Sequence, residues 1–462
     1  MRLDPKDAVG AAVVLGALAV VAIHSSPVGH HHSPNVADAR GSVTGPVGEP
    51  ATVFVDFNVV PMDRDVVLPH QTVLVRGRLI ERIADAGSFE PPRGARIIQG
   101  DGTQYLAPGL TDAHVHLRGS YEDWFPLFVA NGVTTVFNLE GRPSHLALKH
   151  RIAAGEREGP TVYTAGRYVE EPAIRTPADA RSEVARQAAR GYDFVKVHGN
   201  LAADTYAALT EAGRELDIPV IGHAPRNLPF SAVLENRQVA VTHAEELIHT
   251  QLTTFDVDEA REMATRMAEA GTWLMPTLAH FDAVAAEWGS PAAVEAALVT
   301  EAAAYLPGSL KEAWRDQNIF LTVDEHDRDR LLEMADFHRP LLRALHDAGV
   351  PMMAGTDTPI PTLAPGFSLH REIDALREIG LTGYEALATA TVNPGRFIRS
   401  YVDGGAHFGT LRRGSRADIV MLDADPRTSS ETLRRPRGVM VRGIFYARSD
   451  LDRILERVAA IR

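Results

Sequence analysis

Cysteine is absent from all 462 residues. Its absence excludes disulfides, thiolate metal ligands, a Cys nucleophile and the lipid anchor of a lipoprotein, which is built on a Cys. Positive charge is short as well, with 47 Lys and Arg against 60 Asp and Glu and a formal net charge of −13. No basic face is evident that would neutralise phosphates, which argues against a nucleic-acid partner. Long apolar runs are scarce. One stands out, residues 8–23 (AVGAAVVLGALAVVAI), after a short head carrying Arg2 and Lys6. A bilayer span needs about 20 apolar residues, so this run is short for an anchor and suits the apolar region of a secretory signal. Cleavage after Ala22, with Val20 at the third position back, fits that reading. Asp4 and Asp7 cancel the charge of the head and keep open a disordered apolar tail instead. Residues 1–26 are therefore expected to be a signal peptide or N-terminal apolar segment. The protein is then exported (periplasmic or extracellular) or tethered to a membrane through that segment alone, and cytoplasmic if the segment is not a signal.

What is present has an ordinary soluble composition, 45% hydrophobic and 23% charged. Residues 27–50 are rich in Pro, Gly, Ser and His and read as a flexible linker. His30–His32 within it read as solvated rather than as a metal clip. Residues 51–106 alternate apolar and polar side chains between Gly and Pro breaks, the pattern of half-buried strands joined by tight turns. The pattern returns at Ala417–Leu422 and Arg437–Tyr446. Residues 51–106 and 406–462, the latter with a terminal helix, are thus expected to build one small β-sandwich from both ends of the chain. Between them, residues 107–405 alternate strand-like and helix-like segments. Strands are expected around His114 and at Asn131–Leu139, Thr161–Ala165, Tyr192–His198, Pro219–His223, Val239–His243, Thr272–Leu278 and Val350–Asp357. Helices are expected between them, including Arg181–Arg190. This repetition predicts an α/β fold, a parallel (β/α)8 TIM barrel. The helical stretch from Phe281 to Arg343 is longer than a barrel needs and is expected to cap the site as a lid or to mediate homo-oligomer contacts.

Polar chemistry concentrates at strand ends. Tyr105–Gly119 (YLAPGLTDAHVHLRG) sets His114 and His116 one residue apart. On a strand both imidazoles then point to one side, which is bite geometry for a metal. Lys196 between Val195 and Val197, His223, His243 and Asp357 each fall at or near the end of a separate apolar strand, the rim where barrel active sites lie. Burying an uncompensated charge costs several kcal/mol, so these groups need a partner or a metal. The plainer alternative is a buried Lys–Asp ion pair with incidental histidines. His198, His280, Arg167 and Tyr168 follow the strands and are candidates for orienting a substrate carbonyl or carboxylate, although loop residues of these types are commonly surface groups. Glu245, Glu246 and His249 read as a solvated, acidic helix start, with orientation of His243 as the alternative.

This order of residues resembles the amidohydrolase superfamily of metal-dependent barrels. The phrases that carry the resemblance are APGLTDAHVH, NGVTTV, the GH and TH ends of neighbouring strands, AGTD, ATVNPGRF and the closing GTLRRGSRADIVMLD, over about residues 52–446. The short step from His223 to His243 and the Lys on the fourth strand are similar to the imidazolonepropionase-like and prolidase-like branch. The resemblance implies two divalent metal ions, the first held by His114, His116 and Asp357, the second by His223 and His243, with a carbamylated Lys196 bridging them. Such donors suit Zn²⁺, with Mn²⁺, Co²⁺ and Fe²⁺ open in the same shell. It also implies hydrolysis of an amide C–N bond in a small-molecule substrate by a metal-bridging hydroxide, with Asp357 carrying the proton to the leaving nitrogen. Two positions depart from the prolidase-like pattern: Pro225 stands where a Tyr is common, and GRYVEE (Gly166–Glu171) where Gly-Gly-His is common. A peptidase acting on Xaa-Pro or N-acyl amino acids and a lactone or ester hydrolase therefore stay open. So does a mononuclear deaminase, which typically carries a Glu where this chain has Arg226. A non-catalytic exported binding protein is the reading from a different class.

Overall fold

The computed structural model describes residues 51–118, 124–322 and 325–460. The expected signal segment 1–26 and linker 27–50, with His30–His32, lie outside the described residues. Strands from the two ends of the chain meet: β1 (Ala51–Val59), β2 (Leu68–Arg76), β3 (Leu79–Asp85), β4 (Arg96–Gln99) and β5 (Tyr105–Pro108) from the first part, β13 (Ile419–Leu422), β14 (Gly438–Val441) and β15 (Ile444–Ala447) from the last. They pair in the order β15-β14-β13-β5-β1-β2-β3, with β4 beside β1. The strands expected as a sandwich are thus hydrogen-bonded as one continuous eight-stranded sheet. β1 serves two parallel partners, β4 over Thr52–Val55 and β5 over Asn58–Val59, and its register against β2 shifts between Phe54 and Val59. Such bulges bend a strand so that its halves can face different neighbours. Phe54, Phe57, Val73, Leu106, Ile419, Met440 and Phe445 form a buried apolar cluster on this sheet.

Between the two ends, parallel strands alternate with helices in a mixed α/β arrangement: β6 (Leu110–Val115), β7 (Val133–Asn138), β8 (Thr161–Thr164), β9 (Val195–Val197), β10 (Val220–Gly222), β11 (Ala240–Thr242) and β12 (Trp273–Met275). β6–β7–β8 form one parallel sheet and β9–β10–β11–β12 another. Single parallel bridges connect their edges, Ala165 to Phe194, Leu274 to Met352, and Val115 to Thr358. The eighth segment, expected as a strand over Val350–Asp357, is irregular rather than a strand. Met353 N–H donates to Leu274 O and Ala113 N–H to Ala354 O, both at 2.9 Å. Gly355 then passes so close to β6 that an added Cβ would lie 2.7 Å from the Cβ of His114, which only glycine permits.

Ala113, Phe137, Ala165, Phe194, Ile221, Ala240, Met275 and Met353, drawn from all of these parallel segments, share one buried cluster. Val195, Val197 and Val220 pack instead with Leu209 and Ala212 of the helix Ala203–Glu215. Because side chains alternate along a strand, this sidedness puts Lys196 and His198 on the same inner face as Phe194. Helix Pro177–Arg190 starts earlier than the expected Arg181. The Thr176 hydroxyl accepts the Asp179 N–H at 3.2 Å, Asp179 returns a bond to the Thr176 N–H at 3.0 Å, and Pro177 pre-sets the first helical φ. The stretch expected as a lid folds into short helices and one long helix, Glu325–Asp347, whose His338 packs edge-on against Phe281 at 4.4 Å. Among the described residues no helix is long and apolar enough to cross a membrane.

Candidate metal centre

β6 delivers His114 and His116 to a single point, with their Nε2 atoms 3.3 Å apart. Asp357 Oδ1 lies 3.2 Å from His114 Nε2 and 2.7 Å from His116 Nε2. His243 Nε2 is 4.0 Å from Asp357 Oδ2. His114, His243 and Asp357 each offer a ligand atom within 4.8 Å of the others. His223 stands beside His243, with ring centroids 4.9 Å apart. Lys196 Nζ donates to Thr242 Oγ1 at 3.0 Å and makes no ion pair with a described carboxylate. His114 is fully buried, Lys196 is 1% exposed and Asp357 8%.

The donors suit a cation. Burial pushes Lys196 down to about 7, against the pull of Asp357. Burial also drives His114 down to about 3, and His223 and His243 well below the usual imidazole range, against the pull of Asp357 on His114 and His243. These rings are therefore neutral, the ligating form. Burial pushes Asp357 upward, but His114 and His116 outweigh it and hold the carboxyl well below its ordinary value, hence ionised. Three of the four far nitrogens are engaged: His116 Nδ1 lies 3.3 Å from the Tyr168 hydroxyl, His223 Nδ1 is 3.3 Å from Glu246 Oε1, and His243 Nδ1 is 2.8 Å from Thr277 Oγ1, whereas His114 Nδ1 finds no partner. Partners of this kind fix the ring and its tautomer and leave Nε2 for a metal. Asp357 Oδ1, buried amid those rings, finds no hydrogen-bond donor.

Several residues that support this arrangement escape the sequence reading. Asp112 accepts the His114 N–H at 3.3 Å, the Thr356 N–H at 3.0 Å and the Thr356 hydroxyl at 2.7 Å, tying β6 to the eighth segment. Burial raises its carboxyl to about 7 despite those bonds. Glu140 accepts from Arg118 Nε at 2.7 Å, and Arg118 reaches the Tyr168 hydroxyl at 3.5 Å. Glu372 receives the Leu278 and Ala279 N–H groups at 3.2 and 2.7 Å, which positions the helix carrying His280. Glu245 and Glu246 are not a solvated helix start, being 3% and 0% exposed. Leu247 and Ile248 anchor their helix in the core and carry the acids inward. Glu246 accepts Arg226 Nη2 at 2.7 Å beside His223, while Glu245 lies 3.7 Å from His243 Nδ1 and 3.5 Å from His338 Nε2. The signal available was that pair of Leu and Ile directly after the acids.

Three of the four substrate candidates meet the centre. His280 Nδ1 is 3.0 Å from Asp357 Oδ2. Tyr168 stacks on His198 with centroids 4.4 Å apart and planes 7° from parallel, and Glu170 holds His198 Nδ1 at 2.6 Å. Arg167 does not join them. Its side chain is 56% exposed and its Nε lies 3.5 Å from Glu183 on the helix Pro177–Arg190, because neighbours in an extended segment point to opposite sides and Tyr168 takes the inner one.

A model of the amidohydrolase family matches residues 105–445. Among solved structures, a bottromycin amidohydrolase superposes with a TM-score of 0.68 at 23% identity, over 89% of this chain and 90% of that one. A putative prolidase from Bifidobacterium longum gives 0.65 at 20% identity, over 89% and 100%. A Xaa-Pro dipeptidase with bound methionine in its active site gives 0.65 at 16% identity, over 86% and 100%. At these identities the likeness is one of fold. No curated protein matches the sequence.

Proposed function

The chain belongs to the amidohydrolase family, and from that premise we propose that it is a binuclear metal-dependent hydrolase cleaving an amide C–N bond of a small-molecule substrate. The observation that supports this most is the convergence of His114 and His116 Nε2 on Asp357 Oδ1 at 3.2 and 2.7 Å, beside a buried Lys196 whose bond is to a hydroxyl. Neighbours described as an amidohydrolase and prolidases lend support to C–N cleavage. The parallel segments of residues 107–405 are read as a closed (β/α)8 barrel, supported by the three linking bridges and the shared inner cluster. The terminal sheet, residues 51–106 with 406–462, is read as folded over on itself into a sandwich, supported by its single apolar cluster.

In this reading His114, His116 and Asp357 hold one divalent ion, taken as Zn²⁺, and His223 and His243 hold the second. Lys196, as a carbamate, would supply a carboxylate shared by both ions: its neutral amine would add to carbon dioxide, an N–C bond forming as one C=O π pair moves to oxygen, and the N–H proton would pass to water. Its pKa of about 7 supports that step. The cation pair supplies a deprotonated water near neutral pH and a Lewis acid for the scissile carbonyl. Asp357, steadied by His280 at 3.0 Å, accepts the proton of the attacking water and returns it to the leaving nitrogen. Tyr168 and His198, the latter fixed by Glu170, present donors to the acyl oxygen or to a substrate carboxylate. The helical insertion is read as a lid over the rim, supported by His338 lying 3.5 Å from Glu245.

Metal analysis with a substrate screen tests the proposal. Purified protein should carry about two ions per chain and hydrolyse members of a panel of N-acyl amino acids, dipeptides, cyclic amides and lactones. One ion per chain with ammonia release favours the deaminase. No metal and no turnover on any of the panel would sink the hydrolase reading in favour of a binding protein.

A further inference from the structure

A cavity of about 360 Å³, lined by four cationic side chains among apolar ones, lies at the opposite ends of the parallel strands. Thr161, which begins β8, and Asp193, which precedes β9, line it from one side, and Arg416 and Arg442 of the terminal sheet region line it from the other. The metal-centre side chains project from the carboxyl ends of those strands, so the two sites are separate.

Arg78, Arg416, Arg442 and Lys149 bring cationic groups to this cavity. Two of them are matched, Lys149 by Asp193 and Arg416 by Asp418, each at 2.5 Å. Arg442 is not. It is 9% exposed, and its Nη1 donates only to Gly159 O at 3.1 Å and Thr161 Oγ1 at 3.2 Å, with no ion pair to a described carboxylate. Arg78 likewise donates to a carbonyl, Ala153 O, at 2.5 Å. Asp403 also lines the cavity, but one of its oxygens accepts the Gly405 N–H at 2.9 Å. Burial holds the Arg442 guanidinium below its usual range; Asp418 opposes this, and Arg416 and Arg78 add to it.

A buried cation whose nearest carboxylate, here Asp418, is not in ion-pair contact is costly. Guanidinium forks match tetrahedral oxyanions with paired N–H donors, and the Thr161 hydroxyl adds another polar group beside Arg442. The cavity exceeds what one inorganic anion fills and reaches the lower range of small-ligand sites, roughly 300 Å³ and upward. We propose that it is a binding site for a phosphoryl group, free or at the end of a small monoester, held by Arg78 and Arg442 where the terminal sheet meets the strand–helix unit.

Calorimetric titration and thermal melts of the metal-loaded protein test this, with inorganic phosphate in one arm and glycerol phosphate in the other, at ionic strength held constant with chloride. Saturable binding and a Tm that climbs with ligand concentration are expected; tighter binding of one ligand tells which form the site prefers. Arg78→Gln, at an exposed position suited to folding, should weaken binding by about tenfold or more and leave the metal content unchanged. Arg442→Lys should weaken it as well. Absence of saturable binding in the wild type overturns the proposal. So does undiminished binding in both variants, as would follow if phosphate sat on the metal pair.

Discussion

Replacing Glu246 by Gln asks whether the carboxylates behind the histidines hold the centre together. Glu246 is fully buried, accepts Arg226 Nη2 at 2.7 Å and lies 3.3 Å from His223 Nδ1. Gln keeps the volume and removes the charge, so two losses follow. Breaking one side of a buried ion pair costs about 3–5 kcal/mol. Glu245 also pulls electrostatically on Arg226, which favours the lower end, about 3 kcal/mol, and, for a chain of 462 residues, a fall in Tm of about 3 °C. The second loss is at His223, whose ring is no longer held by a carboxylate, and metal affinity should fall about 10–100-fold. The double variant Glu246→Gln with Arg226→Gln separates the two effects, because removing the stranded cation restores much of the stability and none of the affinity. Scanning calorimetry of chelated protein reads the first quantity, and competition with a chromophoric chelator reads the second. Affinity within twofold of wild type in Glu246→Gln would refute the claim that this carboxylate orients His223.

Lys196→Ala removes the proposed bridge and should abolish nearly all turnover, with partial rescue by short carboxylic acids that fill the vacated space; full metal content and wild-type rates in that variant contradict the bridge. Asp357→Asn should retain much of the metal while losing turnover, and unchanged kcat would rule out its role in proton transfer. Arg167→Ala should change kcat/KM by less than about twofold, since its guanidinium is solvated on the flank of a helix; a tenfold loss would show that the residue swings into the site when substrate binds.

The proposed ligands readable from sequence were those governed by strand alternation. His114 and His116 share a face because one residue separates them, and Lys196 shares one with Phe194 and His198 for the same reason. The same rule shows that adjacent Arg167 and Tyr168 could not both face inward, yet it does not say which does; in the structure Tyr168 meets His116 and Arg167 lies out beside Glu183. Glu245 and Glu246 misled because acids in a first helical turn are ordinarily favourable in water, whereas here the burial of Leu247 and Ile248 is the larger effect and carries the acids inward.

What stayed hidden is the backbone that aims the ligands. His243, Thr277 and Asp357 have φ of +70°, +51° and +60°, a region that costs non-glycine residues of order 1–3 kcal/mol each. No local pattern announces such a conformation, because neighbours in space impose it: the His243 N–H donates to Met275 O at 2.9 Å and the Asp357 N–H to His114 O at 2.7 Å, each across to the next segment. Glu372, far along the chain, grips the turn after Thr277 through the Leu278 and Ala279 N–H groups. His243 and Asp357 therefore reach their aim only once the segments on either side are docked. On this account the proposed metal centre depends on the docking of neighbouring segments, and loosening the contact at Gly355, where an added Cβ would meet His114 at 2.7 Å, should cost metal affinity although Gly355 offers no ligand.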